Sequence, residues 1–408
     1  MSFLRAACAA RAGQSGLPRI LVALLVVMVV VLAGLSLSCG NSSFKATAPD
    51  QNAYVTLPAS GSVLLLYING ATGAITQVAQ TPPTENTSPT GLALLPSKKF
   101  LYAINSRADT ISIFNVASDG TLTLSGTPGP AGGSSPSAAV IDPTGNFLLV
   151  TNNFTDNVSV FSIKPDSGAL TQVTGSPFPA NTGPAEILIT PSGNFVYVTN
   201  PRIGMITAFT FSISDGTLTQ LANSPFSSLP GGGGGAFGLA VDGSEQFLYV
   251  TNPSASNDPP NAATIGNISA FSIAPSTAST PGALTRILGS PFVAALTAAN
   301  SVGPTAIAVD PGGKFVYATT TGSTSSIWCF AITPATGQLV AAKNSPFSLS
   351  AGGLFALFDP TGNYFYIGTQ VGNGIAGYTY NPSTGTPTAI AGSPFSTGTA
   401  PGKMVLSR

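Results

Sequence analysis

The sequence predicts an all-β fold, a seven-bladed β-propeller with four antiparallel strands per blade, and three observations carry that expectation. Pro-x-Gly-x-aromatic turns recur at Pro143 to Phe147, Pro191 to Phe195, Pro311 to Phe315 and Pro360 to Tyr364, with weaker copies at Pro96 to Phe100 and Asp242 to Phe247. Their aromatic anchors are spaced by 47, 48, 52, 68 and 49 residues, which is the length of one propeller blade. The long gap holds extra stretches at Ser254 to Gly266, Ser276 to Gly282 and Ala294 to Val302. Finally, Ser-Pro-Phe ends each repeat, at Phe178, Phe226, Phe292, Phe347 and Phe395, and degenerate versions at Thr81-Pro82 and Thr127-Pro128 raise the count to seven.

Within a repeat the order of elements is constant, and the third complete blade shows it cleanly. Ala185 to Thr190 reads as the first strand, Phe195 to Asn200 as the second, Ile206 to Ile213 as the third and Leu218 to Leu221 as the fourth. Each segment alternates with period two, is rich in β-branched and aromatic residues, and is bounded by Gly, Pro, Asn or Asp. Six anchors against seven terminators imply one blade split between the chain ends. Ala53 to Val78 supplies its three outer strands, and Ala400 to Ser407, which matches Gly183 to Thr190, supplies the innermost. Such a ring has no long open edges to aggregate. The expected organisation is therefore residues 1–39 as a targeting segment, 40–51 as a linker and 52–408 as the propeller.

Composition narrows the chemistry. Of 408 residues only 7% are charged, 14 basic and 14 acidic, and histidine is absent. That absence removes Ser-His-Asp and Cys-His nucleophile systems, histidine general bases and histidine-ligated metals. Zero formal charge argues against nucleic acid held on a basic face, and no cofactor or metal is expected. With 43% hydrophobic residues the chain is too apolar to be a disordered linker protein, despite 46 Gly and 34 Pro.

Arg5, Arg11 and Arg19 precede an apolar run from Ile20 to Leu37 with no acidic residue, which reads as an export signal. Its length also suits a retained membrane-spanning helix. Ser36-Leu37-Ser38-Cys39-Gly40 resembles a bacterial lipobox, with Ser36 where Leu is usual, and this resemblance implies lipidation of Cys39 after cleavage. The expected protein is exported, anchored to the membrane at its N-terminus, periplasmic or at the cell surface, and monomeric. Removing the three arginines leaves 11 basic and 14 acidic residues, a net charge of −3. Cys8 falls in the signal, so Cys329 is the lone thiol of the body and reads as a buried strand residue.

Tyr197-Val-Thr-Asn200 and Tyr249-Val-Thr-Asn252, each after a Gly-containing turn and before an Ile-x-x-Phe strand, resemble the repeats of the lactonase-type seven-bladed propellers. That family includes 6-phosphogluconolactonases and muconate-lactonising enzymes, and the likeness spans Asn52 to Arg408. It implies a site at the mouth of the central channel, where inner strands begin.

Aligning the repeats places Gly91, Ala138, Glu186, Gly238, Ala306, Phe355 and Lys403 in one ring, so Glu186 and Lys403 are its charges. Five residues after each anchor stand Asn105, Asn152, Asn200, Asn252, Thr320 and Thr369, and two further on are Arg107, Phe154, Arg202, Gly322 and Val371. In the catalytic reading Glu186 is the general base for water attacking a lactone carbonyl, and Arg202, Arg107 or Lys403 stabilises the oxyanion. The four asparagines then line the ligand site. In the structural reading Glu186 and Arg202 form an ion pair, and the asparagines serve turns.

Two functions follow: a cell-envelope module binding a small molecule or a surface protein at its channel mouth, and an extracytoplasmic lactone hydrolase. The missing histidine favours the first, because the family's strand starts often carry one. Weaker signals read as structure: the glycines from Gly233 to Gly238 as a linker, and Asp142, Asp310 and Asp359 as turn caps. Asp109 and Asp156 read as hairpin turns and Trp328 as core.

Overall fold

The computed structural model describes residues 50–82, 87–230, 235–253, 266–294, 301–322, 325–349 and 352–407. The export signal, Cys39 and the linker up to residue 49 lie outside these residues, as does most of the insertion after Ser254. Seven antiparallel sheets form the ring of a seven-bladed β-propeller. Blades 1 to 6 begin at Pro89, Pro136, Ile187, Leu239, Ser301 and Gly353, and each pairs its strands in sequence order. Blade 7 is the split one: Met404–Leu406 pairs antiparallel with Gln51–Leu57, matching Tyr54 to Val405, and Ser62–Ile68 and Ile75–Gln80 complete the sheet.

All six aromatic anchors open second strands, as the repeat predicts: Phe100, Phe147, Phe195, Phe247, Phe315 and Tyr364. The Asp turn caps also hold. Asp142 Oδ1 accepts from the backbone N–H of Phe147 at 2.6 Å, and Asp310 Oδ1 does the same for Phe315 at 2.6 Å. The terminator does more than end a blade. In blade 3 Ser224 Oγ accepts from the N–H of Ala208 at 2.9 Å, and Phe226–Ser227 forms a fifth short strand beside the third strand, Met205–Phe211. Blades 2, 4, 5 and 6 repeat the serine contact through Ser176, Ser290, Ser345 and Ser393, each preceding a cis proline.

No single core holds the ring together. Hydrophobic residues gather instead into seven clusters among the described residues, one at each seam between blades. The seam closing the ring packs Phe355, Tyr366 and Ile375 of blade 6 against Val55, Leu64 and Leu66 of blade 7.

A tyrosine of the second strand staples six of the seven seams; in five blades it stands two residues after the anchor, and in blade 7 Tyr54 takes the same place. Tyr54, Tyr102, Tyr197, Tyr249, Tyr317 and Tyr366 each donate their hydroxyl to a glycine carbonyl of the next blade, at Gly120, Gly168, Gly282, Gly337, Gly385 and Gly73. Burial pushes these phenols above the ordinary tyrosine range, that of Tyr54 to about 12, so they remain donors at neutral pH. Blade 2 carries Leu149 at this position. Cys329 is fully buried as expected, and burial raises its thiol to about 12.

Candidate functional site

Inner strands begin with an irregularity, and in blades 3 and 7 the residue at that point is charged. In blade 3 the N–H of Ala185 donates to Thr199 O at 2.9 Å and the N–H of Thr199 donates to Glu186 O at 3.0 Å, so two residues face one. This is a β-bulge, a device that re-aims a side chain. The Glu186 N–H, left out of the ladder, donates to Thr199 Oγ1 at 3.1 Å. Blade 7 repeats the pattern: Gly402 N–H donates to Thr56 O, Thr56 N–H to Lys403 O, and Lys403 N–H to Thr56 Oγ1 at 2.8 Å.

Blades 3 and 7 stand three places apart in a ring of seven, which is as far apart as two blades can be. Their bulged residues nevertheless meet: Lys403 Nζ lies 2.7 Å from Glu186 Oε1. The two side chains are 32% and 33% exposed, so the pair spans the mouth in contact with solvent. Glu186 Oε2 accepts no hydrogen bond among the described residues, on a side chain that is 33% exposed.

The carboxylate's partner is thus Lys403, not Arg202. Arg202 Nη2 donates to Asn153 Oδ1 at 2.8 Å, and Asn153 Nδ2 donates to Pro184 O at 3.0 Å, two residues before Glu186. The arginine stem crosses Gly183, where a Cβ would come within 2.8 Å of Arg202 Cδ. Arg107 is exposed in the matching loop of blade 1.

The asparagines are not where a ligand would find them. Asn105, Asn152, Asn200 and Asn252 are at most 1% exposed. Each clasps its own blade's third strand: Asn105 Nδ2 donates to Ser112 Oγ at 2.9 Å, Asn152 Nδ2 to Ser159 Oγ at 2.8 Å and Asn252 Nδ2 to Ser269 Oγ at 3.0 Å. Asn200 Oδ1 accepts from Thr207 Oγ1 at 2.7 Å, while its Nδ2 donates to Ala180 O. An expected ring of ligand-binding amides is therefore a set of hairpin clasps, because a buried amide without such partners would be costly.

A family described as the seven-bladed β-propeller lactonases matches residues 43–181, 172–258 and 265–400. The chain belongs to this family. No curated protein matches the chain by sequence. Among solved structures, the periplasmic gluconolactonase of Pseudomonas aeruginosa aligns with 88% of this chain and 99% of its own, at 17% identity and a TM-score of 0.70. A candidate 6-phosphogluconolactonase from Bacteroides uniformis aligns with 88% of this chain and 99% of its own, at 19% identity and a TM-score of 0.69. One from Bacteroides fragilis gives 90%, 99%, 20% and 0.70. Identities this low speak to the fold.

In this lactonase-family propeller the threonine of the repeat, unremarked in the sequence, turns out to organise the mouth. Thr199 Oγ1 both accepts from Glu186 N–H and donates to Phe237 O of blade 4 at 2.9 Å. Thr151 likewise joins Ala138 N–H to Ala185 O, and Thr251 joins Gly238 N–H to Thr305 O. Its recurrence just before the asparagine was the available signal. Asp109 and Asp156 also tie neighbouring blades: Asp109 Oδ1 accepts from Ser135 N–H at 2.6 Å and Asp156 Oδ1 from Gly183 N–H at 2.8 Å.

Proposed function

We propose that this protein is an extracytoplasmic lactone hydrolase working at its channel mouth, with Glu186 as general base. The observation that carries this reading is the Glu186–Lys403 pair, an acid–base couple set on matching bulges from opposite blades and open to solvent. Water held by Glu186 Oε2 loses a proton to the carboxylate as its oxygen bonds to the lactone carbonyl carbon. The bond from that carbon to the ring oxygen then breaks, the ring oxygen takes the proton back, and a hydroxy acid leaves. Lys403, and Arg202 from the adjoining loop, supply positive charge for the oxyanion.

The test is a lactone-hydrolysis screen on the purified full-length chain and its Glu186→Gln variant. The variant is expected to lower kcat by about 10²- to 10⁴-fold, the range for losing a general base, with little change in melting temperature because a solvent-exposed ion pair contributes weakly. Unchanged turnover would remove Glu186 from the role. A second reading, a non-catalytic ligand-binding module, is favoured by the Lys403 ammonium on Glu186 Oε1 and by the missing histidine. It predicts saturable lactone binding without turnover in the same screen.

The basic start and apolar run support export, and the lipobox-like segment supports a lipid anchor at Cys39. Cys39→Ala is then expected to shift the protein out of the membrane fraction or leave its signal uncleaved. Normal processing and membrane recovery of that variant would rule the anchor out.

A further inference from the structure

We infer that the mouth selects lactones with an uncharged, apolar substituent over phosphorylated or otherwise anionic sugar lactones, an inference that rests on the hydrolase reading above. Charge is the first argument. A phosphate carries nearly two negative charges at neutral pH and calls for several convergent cations. Here the Lys403 charge is matched by Glu186 at 2.7 Å, and Arg202 is drawn aside onto Asn153 in the loop outside the bulge. Asp109 and Asp156 add negative charge on the same face, at the hairpins between second and third strands. With Arg107, exposed in the matching loop of blade 1, three cations stand against three carboxylates on this face, so a substrate meets no excess of positive charge.

The second argument is the exposed apolar side chains on the loops of blade 3 and its two neighbours. Phe154, Phe237 and Ile203 are 73%, 41% and 38% exposed, large apolar side chains left in water on three consecutive blades, 2, 4 and 3. All three are tied to the elements that hold the carboxylate. Phe154 follows Asn153, which bonds Pro184 O; Ile203 follows Arg202; and the Phe237 carbonyl accepts from the same Thr199 hydroxyl that fixes Glu186 N–H. Exposed apolar groups on the loops of the blade that carries Glu186 and of its two neighbours would gain by covering an alkyl or aryl substituent of a lactone held there, whereas a sugar's hydroxyls would be left without partners against them.

The experiment compares kcat/KM of the full-length protein on three probes: a δ-lactone bearing an alkyl tail of about six carbons, glucono-δ-lactone, and 6-phosphoglucono-δ-lactone. The alkyl lactone is expected to be preferred over the phosphorylated one by at least about tenfold. Phe154→Ser and Phe237→Ser should narrow that ratio by about tenfold each, mainly through KM, in variants that still melt cooperatively. Preference for either sugar lactone, still lost in Glu186→Gln, would overturn the substrate assignment and leave the hydrolase reading standing. Hydrolysis of none of the three would overturn the hydrolase reading itself. Preference for the alkyl lactone that both serine variants keep unchanged would also sink the inference, since these exposed apolar side chains would then not be its source.

Discussion

Removing residues 401–408 is expected to lower the melting temperature by about 10 °C or more, or to prevent the ring from closing at all. Three pairings are lost at once, Ala53 with Leu406, Tyr54 with Val405 and Val55 with Met404. So are the backbone bonds from Thr56 N–H to Lys403 O and from Ser407 N–H to Asn52 O. Buried Met404 leaves the cluster that joins blade 7 to blade 6, and the strand Gln51–Leu57 becomes an open edge facing the channel. The effect should exceed that of Met404→Ala, which removes side-chain packing but keeps the closing ladder and costs about 2 to 5 kcal/mol. Calorimetry of the two variants against the parent measures the difference. Equal melting temperatures for the truncated and parent chains would mean that the ring does not depend on its C-terminal strand.

Ring closure was readable because it follows from counting. A blade that lacks its inner strand at one end of the chain and an unpaired inner-strand match at the other leave one arrangement. Strand order, anchor positions and the Asp caps were legible for a related reason: they depend on bonds within about six residues, such as Asp142 to Phe147. Pairings that depend on the closed ring were harder. Glu186 and Lys403 share a register that the repeat reveals, yet 217 positions separate them, and nothing in the repeat says which members of a ring reach across it.

The asparagines show the opposite failure, in which local chemistry was available and was outweighed by position. Asn105, Asn152 and Asn200 each precede a Ser or Thr by seven residues, at Ser112, Ser159 and Thr207. In these hairpins the asparagine stands opposite the residue five positions on, as Asn105 does to Thr110, so the hydroxyl seven positions on is its diagonal neighbour on the same face. An amide given a hydroxyl partner in its own blade has no reason to face a ligand. The Glu186–Arg202 ion pair of the structural reading gave way to Asn153, whose hold on Arg202 depends on a contact between blades.

The second large effect concerns the glycines that receive the tyrosine staples, and Gly73 at the closing seam combines all their constraints. Its φ is +71°, a conformation in which any Cβ is strained. A Cβ there would also lie 2.4 Å from Tyr364 Cδ1 and 2.8 Å from Ile390 Cδ1, and its carbonyl accepts the Tyr366 hydroxyl at 2.9 Å. Gly126 offers the control: φ is +72°, but nothing stands within 4 Å of its Cβ position. Backbone strain alone should therefore cost Gly126→Ala about 1 kcal/mol. Gly73→Ala adds overpacking of about 1 to 3 kcal/mol and displaces an acceptor whose buried donor is worth roughly another 1 kcal/mol. Tyr366→Phe isolates that last contribution, since it removes the hydroxyl and leaves the ring. Denaturant unfolding of the three variants should rank them Gly73→Ala, then the other two at similar, smaller losses. If Gly73→Ala matched Gly126→Ala, φ alone would explain the glycine, and the seam between blades 6 and 7 would be looser than its tyrosine contacts imply.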